Sequence, residues 1–283
     1  MRFISIFFLC FLSMPALAIE LKGNFTQGGY VYGQVEKGQN IYLNDSKINT
    51  DKDGYFLFGF NREYPETATL TIKNERGEIT ETKKLKIKQR DYNIERIDGL
   101  PPSKVTPRTE EQQAQISKEW TIKQDAYKDI QSGNGFTQKF IQPVEGRFSG
   151  FYGSQRILNG EPRRPHFGLD IAAPKGTNPM DYIGTPIKSP ADGIITLARK
   201  NMYFEGNMVF IDHGQGLVSI MMHLEDINVE KGEHVKQGDI IGTLGMTGRA
   251  TGPHLHWGLR LNGGIHLDPQ LMIEDNQSYA YND

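Results

Sequence analysis

The sequence predicts a mainly β protein: a small β-sandwich-like module, a linking helix, and a second, glycine-punctuated β domain. Three observations carry this expectation. Glycine is abundant, with 31 among 283 residues. Short aromatic or β-branched runs alternate with turn residues along most of the chain, the pattern of strands joined by tight connections. One long stretch, 109–131, instead places its apolar residues at helical spacing. A chain of this length accommodates roughly two domains. With 37% hydrophobic and 23% charged residues, the balance is that of a globular protein on the polar side.

The first eighteen residues form a separate object. Met1-Arg2 is a short basic start, Ile4 to Leu12 is a nearly continuous apolar run, and Ala16-Leu17-Ala18 supplies the small-x-small cleavage pattern of a secretory signal peptide. The run is too short to span a bilayer as a helix. Cys10 follows bulky Leu9 inside that run, which argues against a lipid anchor there. The expectation is therefore an exported chain, periplasmic or secreted, without stable membrane insertion once 1–18 are removed. The single cysteine leaves with the signal, so metal ligation downstream falls to His, Asp and Glu. One basic residue and no acid leave with it, so the net charge of −2 becomes −3. Without a basic excess, neither nucleic acid nor an anionic membrane surface is expected as a partner.

Residues 19–98 carry the β module. Tyr30-Val31-Tyr32, Asn40 to Leu43, Tyr55 to Phe60 and Ala68 to Ile72 are its strand-like runs, separated by Gly28-Gly29, Lys37-Gly38, Asp51 to Gly54 and Glu75-Arg76-Gly77. Asp51-x-Asp53-Gly54 has the start of a calcium loop but no later bidentate Glu, so a plain hairpin turn is expected. Residues 99–135 are the linker and helix. Leu100-Pro101-Pro102 to Pro107 stiffens the connection, and Thr109 to Gln112 matches a capping box. Ile116, Trp120, Tyr127 and Ile130 predict an apolar stripe that packs on a neighbouring domain, and Gly133-Asn134-Gly135 ends the helix. Residues 136–274 are the second β domain. Asn207 to Asp212 and Leu217 to Leu224 flank His213-Gly214-Gln215-Gly216 as a hairpin, and Val235 to Gly242 suggests another tight β–turn–β unit. The tail, 275–283, is polar.

All seven histidines lie beyond residue 165. His166-x-x-x-Asp170 and His254-x-His256 place like-facing side chains two or four apart along extended chain. Two neighbouring strands of this kind would converge four polar groups on one cleft floor, with His223 ending a predicted strand nearby. Three protein ligands with one open position suit a catalytic zinc ion. Either motif alone recurs by chance; together, in a mature chain without cysteine, they point to a metal. Gly245, Gly248 and Gly252 before Pro253 suggest a flexible, backbone-exposing approach for a peptide. His213 is expected in a turn or the core, His234 exposed, and His266 packed or capping. Arg156, Asn159, Arg163 and Arg164 either touch substrate carboxylates or lie on a solvated loop.

Three ordered stretches carry a family resemblance: "RRPHFGLDIAAPKGT", "IDHGQGLVSIMMHL" and "GMTGRATGPHLHWGL". Over roughly Phe148 to Asp268 the chain resembles the lysostaphin-type (LytM-like) zinc endopeptidases that cut peptidoglycan cross-links. Residues 19–98 resemble, more weakly, the β module that often precedes such domains in exported bacterial homologues. The resemblance implies a folded antiparallel β-sheet cleft with few helices. It implies zinc held by His166, Asp170 and His256, His254 as general base, and His223 holding the attacking water and stabilising the oxyanion. It also implies hydrolysis of stem-peptide or cross-bridge bonds in peptidoglycan, with the N-terminal module targeting, occluding the cleft or docking a regulatory protein.

Three rival readings have weaker support. A non-catalytic relative that binds and activates cell-wall amidases typically has lost zinc ligands, and here all three remain. Gly232 to Gly242 has the look of a biotinyl or lipoyl carrier hairpin but lacks the lysine that bears the group. A bacteriocin aimed at foreign walls usually carries a C-terminal wall-binding module.

Overall fold

The computed structural model describes residues 19–107 and 109–273. The expected signal peptide, 1–18, and the polar tail, 275–283, lie outside the described residues.

The N-terminal strands are β1 (Leu21–Gly23), β2 (Tyr30–Gln34), β3 (Asn40–Leu43), β4 (Ser46–Ile48), β5 (Tyr55–Gly59), β6 (Thr67–Lys73) and β7 (Ile79–Lys86). They form two antiparallel sheets, β1-β2-β5 and β4-β3-β6-β7. Strand β6 shows why they pack: Ala68, Leu70 and Ile72 point inward while the alternating threonines and Lys73 stay at least partly exposed. The inward residues meet Val31, Phe56 and Phe58 of the facing sheet in one core. Fully burying each large apolar side chain contributes about 1.5–3 kcal/mol. The turn at Asp51 is a plain hairpin turn, as expected, with Asp51 Oδ1 accepting from the amides of Asp53 and Tyr55 at 2.9 Å.

Sheet β1-β2-β5 is covered on both faces. Tyr30 and Leu57, whose neighbours in each strand face the sandwich core, instead join the core of the second domain around Phe136. The Tyr30 hydroxyl donates to the Phe136 carbonyl at 2.7 Å. The module is thereby packed onto the second domain.

The connection then runs through β8 (Ile94–Ile97), α1 (Pro102–Val105) and α2 (Glu110–Lys128). The capping box is present: Thr109 accepts from the Gln112 amide, and the Gln112 side chain accepts from the Thr109 amide. The expected apolar stripe is the packed face only in part: Tyr127 stacks on Phe210 with ring centroids 4.8 Å apart, whereas two other members stand in solvent. Trp120 is 60% exposed and Ile130, beyond the helix, 45% exposed. The buried helix residues are Glu119 and Ala126, with Ile122 and Tyr127 partly covered against Leu197, Met208 and Phe210. Spacing alone placed Trp120 on the stripe; polar anchors chose the face. Glu119 Oε2 accepts from the Tyr203 amide at 2.9 Å, and Lys123 pairs with Glu205. The helix also ends at Lys128, before the glycines expected to stop it.

The C-terminal region contains β9 (Arg147–Gly150), β10 (Gln155–Leu158), β11 (Glu161–Pro162), β12 (Leu169–Ala172), β13 (Pro186–Lys188), β14 (Gly193–Met202), β15 (Gly206–Asp212) and β16 (Val218–Ile227). It continues with β17 (His234–Val235), β18 (Ile240–Leu244), β19 (His254–Leu261), β20 (Ile265–Leu267) and α3 (Gln270–Ile273). Its large sheet runs β17-β14-β15-β16-β19-β12-β9 with every neighbour antiparallel. The hairpin around His213 joins β15 to β16 as expected. The stretch 235–242 is a tight β–turn–β unit, as expected, but its strands do not pair with each other: β17 pairs with β14, while β18 pairs with β13 and β16. Strand β8 pairs with neither N-terminal sheet. It lies parallel to β10 in a small sheet, β11-β10-β8, with Glu95 opposite Arg156. Among the described residues, no helix is long and apolar enough to cross a membrane.

Candidate metal centre

Strand pairing assembles the site. In the β12–β19 ladder Asp170 pairs with His256 and Ala172 with His254. Directly opposed residues share a sheet face, and so do residues two apart, so Asp170, His256 and His254 face one side. His166 arrives differently. It precedes β12 across a bend rather than on a continuous strand, and its backbone is pinned by amide–carbonyl bonds to Gly153 and Ser154 at 2.7 and 2.8 Å. Gly168, between His166 and Asp170, is required by close approach: a Cβ there would lie 2.5 Å from the His256 ring.

His223 reaches the site through an unusual backbone. Met222 pairs with His256, so strict alternation would aim His223 away. A left-handed φ of 66° at His223 breaks the alternation. Its ring then lies 4.8 Å from that of His254 and 6.3 Å from that of His256. The kink is held by the His223 amide donating to the Glu205 carbonyl at 2.9 Å.

Three donor atoms converge. His166 Nε2 is 3.0 Å and His256 Nδ1 2.8 Å from Asp170 Oδ1, and the two nitrogens are 2.9 Å apart. His166 Nδ1 lies 3.1 Å from the Phe151 carbonyl, which can only accept. The proton therefore belongs on Nδ1, and the Nε2 lone pair points at the carboxylate and at His256. Burial pushes His256 down to about 4, so it stays neutral at pH 7. A carboxylate and two imidazole lone pairs facing one point call for a cation. Two nitrogens and one oxygen suit zinc, and the carbonyl behind His166 is the customary support of a ligating histidine. The residues present thus fit the metal.

The remaining site histidines also have assigned tautomers. His254 Nδ1 donates to the Gly252 carbonyl at 2.8 Å, leaving Nε2 unprotonated 3.9 Å from Asp170 Oδ1. His223 Nδ1 donates to the Thr247 carbonyl at 2.8 Å. Burial, then the neighbouring His254 and His256 rings, push His223 down to about 3. Beside these groups opens a cleft of about 600 Å³ whose walls include Arg147, Arg156, Lys175, Thr251 and His254.

The other sequence candidates separate from the site. His213 is fully buried, donating from Nδ1 to the Asp192 carbonyl and accepting at Nε2 from Ser219, both at 2.8 Å. His234 is exposed, and His266 stacks on Phe167 with ring centroids 4.4 Å apart. Asn159 is spent on the Leu100 backbone, and Arg163 on Thr106 and Glu161. Arg156, expected to touch substrate or lie on a solvated loop, lines the cleft and also pairs with Asp170, its Nη2 lying 2.6 Å from Asp170 Oδ2. Gly245 and Gly248 are not a loose approach. A Cβ on either would meet backbone atoms at 2.5 and 2.4 Å, so they are glycines of tight packing. Glu95 and Thr247 went unnoticed in the sequence, because nothing local marks a residue whose partner is a distant strand.

Residues 164–269 match the model of peptidase family M23. The peptidoglycan DD-endopeptidase ShyC of Vibrio cholerae is 44% identical over 115 residues, covering 40% of this chain and 26% of that protein. The DD-carboxypeptidase/endopeptidase Mpg of Neisseria meningitidis is 39% identical over 162 residues, covering 54% of this chain and 34% of that protein. The match thus spans about a quarter to a third of the length of these relatives. A crystal structure described as a putative peptidase M23 from Pseudomonas aeruginosa superposes with a TM-score of 0.62 at 26% identity, covering 89% of this chain and 96% of that one. The His/Asp/His constellation lies inside the matched segment, and residues 164–269 of this chain form a peptidase family M23 domain.

Proposed function

We propose that this chain is an exported, zinc-dependent endopeptidase that hydrolyses peptide bonds in peptidoglycan stem peptides or cross-links, acting in the periplasm. The observation that carries the reading is the convergence of His166, Asp170 and His256 on one point, with His223 and His254 beside it and His254 lining an open cleft. The names of the relatives from Vibrio cholerae and Neisseria meningitidis support the substrate class. The apolar N-terminal run ending in Ala16-Leu17-Ala18 supports export.

His166, Asp170 and His256 would hold the metal. When bound, zinc supplies Lewis-acid polarisation of the scissile carbonyl and acidifies water. The protein's own groups handle the proton. The Gly252 carbonyl fixes His254 with its proton on Nδ1, so Nε2 is free to accept a proton from the attacking water and return it to the leaving amine. Neutral His223, with its proton committed to the Thr247 carbonyl, presents Nε2 as an acceptor that orients that water. In this tautomer His223 has no N–H to offer the oxyanion, which favours the water-holding half of the role implied by resemblance.

A zymogram on purified peptidoglycan tests the reading. Clearing that is lost with EDTA and restored by zinc is the expected result, with mass spectrometry of released muropeptides identifying the bond. No clearing by the zinc-loaded mature chain, together with enhanced clearing by an added amidase, would establish the non-catalytic regulator instead.

A further inference from the structure

Arg156 occupies a position that the hydrolytic reading does not use. It lies on β10, and the parallel register of β8 and β10 sets Glu95 directly opposite it. Its guanidinium reaches two ways. Nη2 lies 2.6 Å from Asp170 Oδ2, and Nε lies 3.3 Å from Glu95 Oε2. Asp170 thus has its two oxygens divided: Oδ1 faces His166 and His256, and Oδ2 is held by Arg156. Asp170 is 6% exposed, and the Arg156 side chain 23% exposed, so the pair is largely shielded from water. Glu95 has a second tie, accepting from the Phe151 amide at 3.4 Å. The Phe151 carbonyl in turn holds His166 Nδ1.

We propose that Glu95 and Arg156 form a positioning pair that turns Asp170 Oδ1 toward the metal, so that zinc affinity depends on β8, a strand outside the M23 segment. The inference rests on the zinc reading above. Two effects compete. The guanidinium charge by itself repels a nearby cation. Its hydrogen bond to Oδ2, however, removes the carboxylate's rotational freedom, and Glu95 neutralises its charge. Orientation of a ligating carboxylate by a partner of this kind is worth about 10–100-fold in metal affinity, which exceeds what a compensated charge takes away. The connection around β8 is well seated for the task. The Gln155 amide donates to the Asn93 carbonyl at 2.8 Å, and the Asn159 amide to the Ile97 carbonyl at 2.9 Å, one at each end of the strand. The Asn159 side chain then clamps the Leu100 backbone at 2.7 and 3.1 Å.

The test is zinc competition against a chromogenic chelator, on the full mature chain and on Arg156→Ala, Arg156→Lys and Glu95→Gln, with folding checked by circular dichroism. A dissociation constant weakened about 10–100-fold in R156A and several-fold in E95Q, with R156K between parent and R156A, is the expected order. KM for peptidoglycan fragments should change little at saturating zinc, because the pair acts on the metal. R156A that folds and binds zinc within twofold of the parent, or more tightly, overturns the proposal. If R156A does not fold, E95Q and R156K decide it, and parental affinity in both overturns it. Tight zinc binding by the parent with unaffected variants would sink this inference alone; a parent that binds no zinc sinks the metal reading as well.

Discussion

The N-terminal sandwich and the C-terminal sheet bury different chemistry. The sandwich core is apolar: Val31, Ile41, Phe56, Phe60, Leu70 and Ile87 are at or near zero exposure. Its buried amides find protein partners: Asn24 donates to the Leu271 carbonyl, and Gln27 donates to the Tyr64 carbonyl and the Gln89 side chain and accepts from the Arg90 amide. The C-terminal region buries His166, Asp170, Asp212, His213 and His223. Burying such groups costs stability unless each finds a partner. His213 shows that burial alone does not mark a site, because both of its ring nitrogens are spent on Asp192 and Ser219. His166 and His256 differ in that their lone pairs face each other and Asp170. The distinguishing feature is a convergent set of donors that the protein itself does not satisfy.

The largest expected effect separates the two regions outright. His166→Ala or Asp170→Ala should lose zinc by metal analysis and slow hydrolysis about a thousandfold or more, the equivalent of several kcal/mol of lost Lewis-acid stabilisation. A fully active metal-free variant would break the comparison. His254→Ala should slow cleavage about 10²–10⁴-fold while retaining zinc, since its Nε2 serves the proton and not the metal. Loss of zinc from that variant would move His254 into the ligand set.

On the other side of the comparison, Phe56→Ala in the sandwich should cost about 3–5 kcal/mol in denaturant unfolding. Zinc affinity of the folded fraction should be unchanged; a parallel fall would mean that the two cores are energetically one. A smaller, pH-dependent effect concerns His213. Burial lowers it to about 4, so between pH 6.5 and 4 the unfolded chain takes up a proton that the folded chain refuses. Its contribution is present above pH 6.5 and lost as pH falls through 4. Asp212 is raised to about 6 by burial and works in the opposite direction, so only a difference isolates the histidine. The destabilisation caused by His213→Gln should therefore shrink by up to about 3 kcal/mol between pH 7 and pH 4; an equal cost at both would refute it. Smallest of all, Trp120→Ala should change stability by less than about 0.5 kcal/mol and leave cleavage unaffected, because the ring is 60% exposed.

Much of this was legible in the sequence where the controlling interactions are local. Strand β3 falls on the run Asn40 to Leu43, the Thr109–Gln112 capping box is present, and the Asp51 turn is a hairpin turn. Each depends on residues within a few positions, so turn chemistry and period suffice. The metal-capable residue types of His166, Asp170, His223, His254 and His256 were likewise legible, because side-chain types and their spacing survive in the text of the motifs. Their meeting was not. His166 comes in across a bend, and His223 enters only through a left-handed backbone, neither of which alternation predicts.

The tertiary structure alone decided which partner each long polar side chain found. Glu119 and Lys123, not Trp120, chose the packed face of α2 because the Tyr203 amide and Glu205 stand opposite them. The register of β8 against β10, strands about sixty residues apart, put Glu95 beside Arg156, which lines the cleft and at the same time reaches Asp170. Local patterns specify which face of a strand a residue occupies, whereas register between distant strands specifies what it meets there. The sequence thus determined the mainly β character and the inventory of metal-capable side chains, and the packing determined the pairing that brings those side chains together.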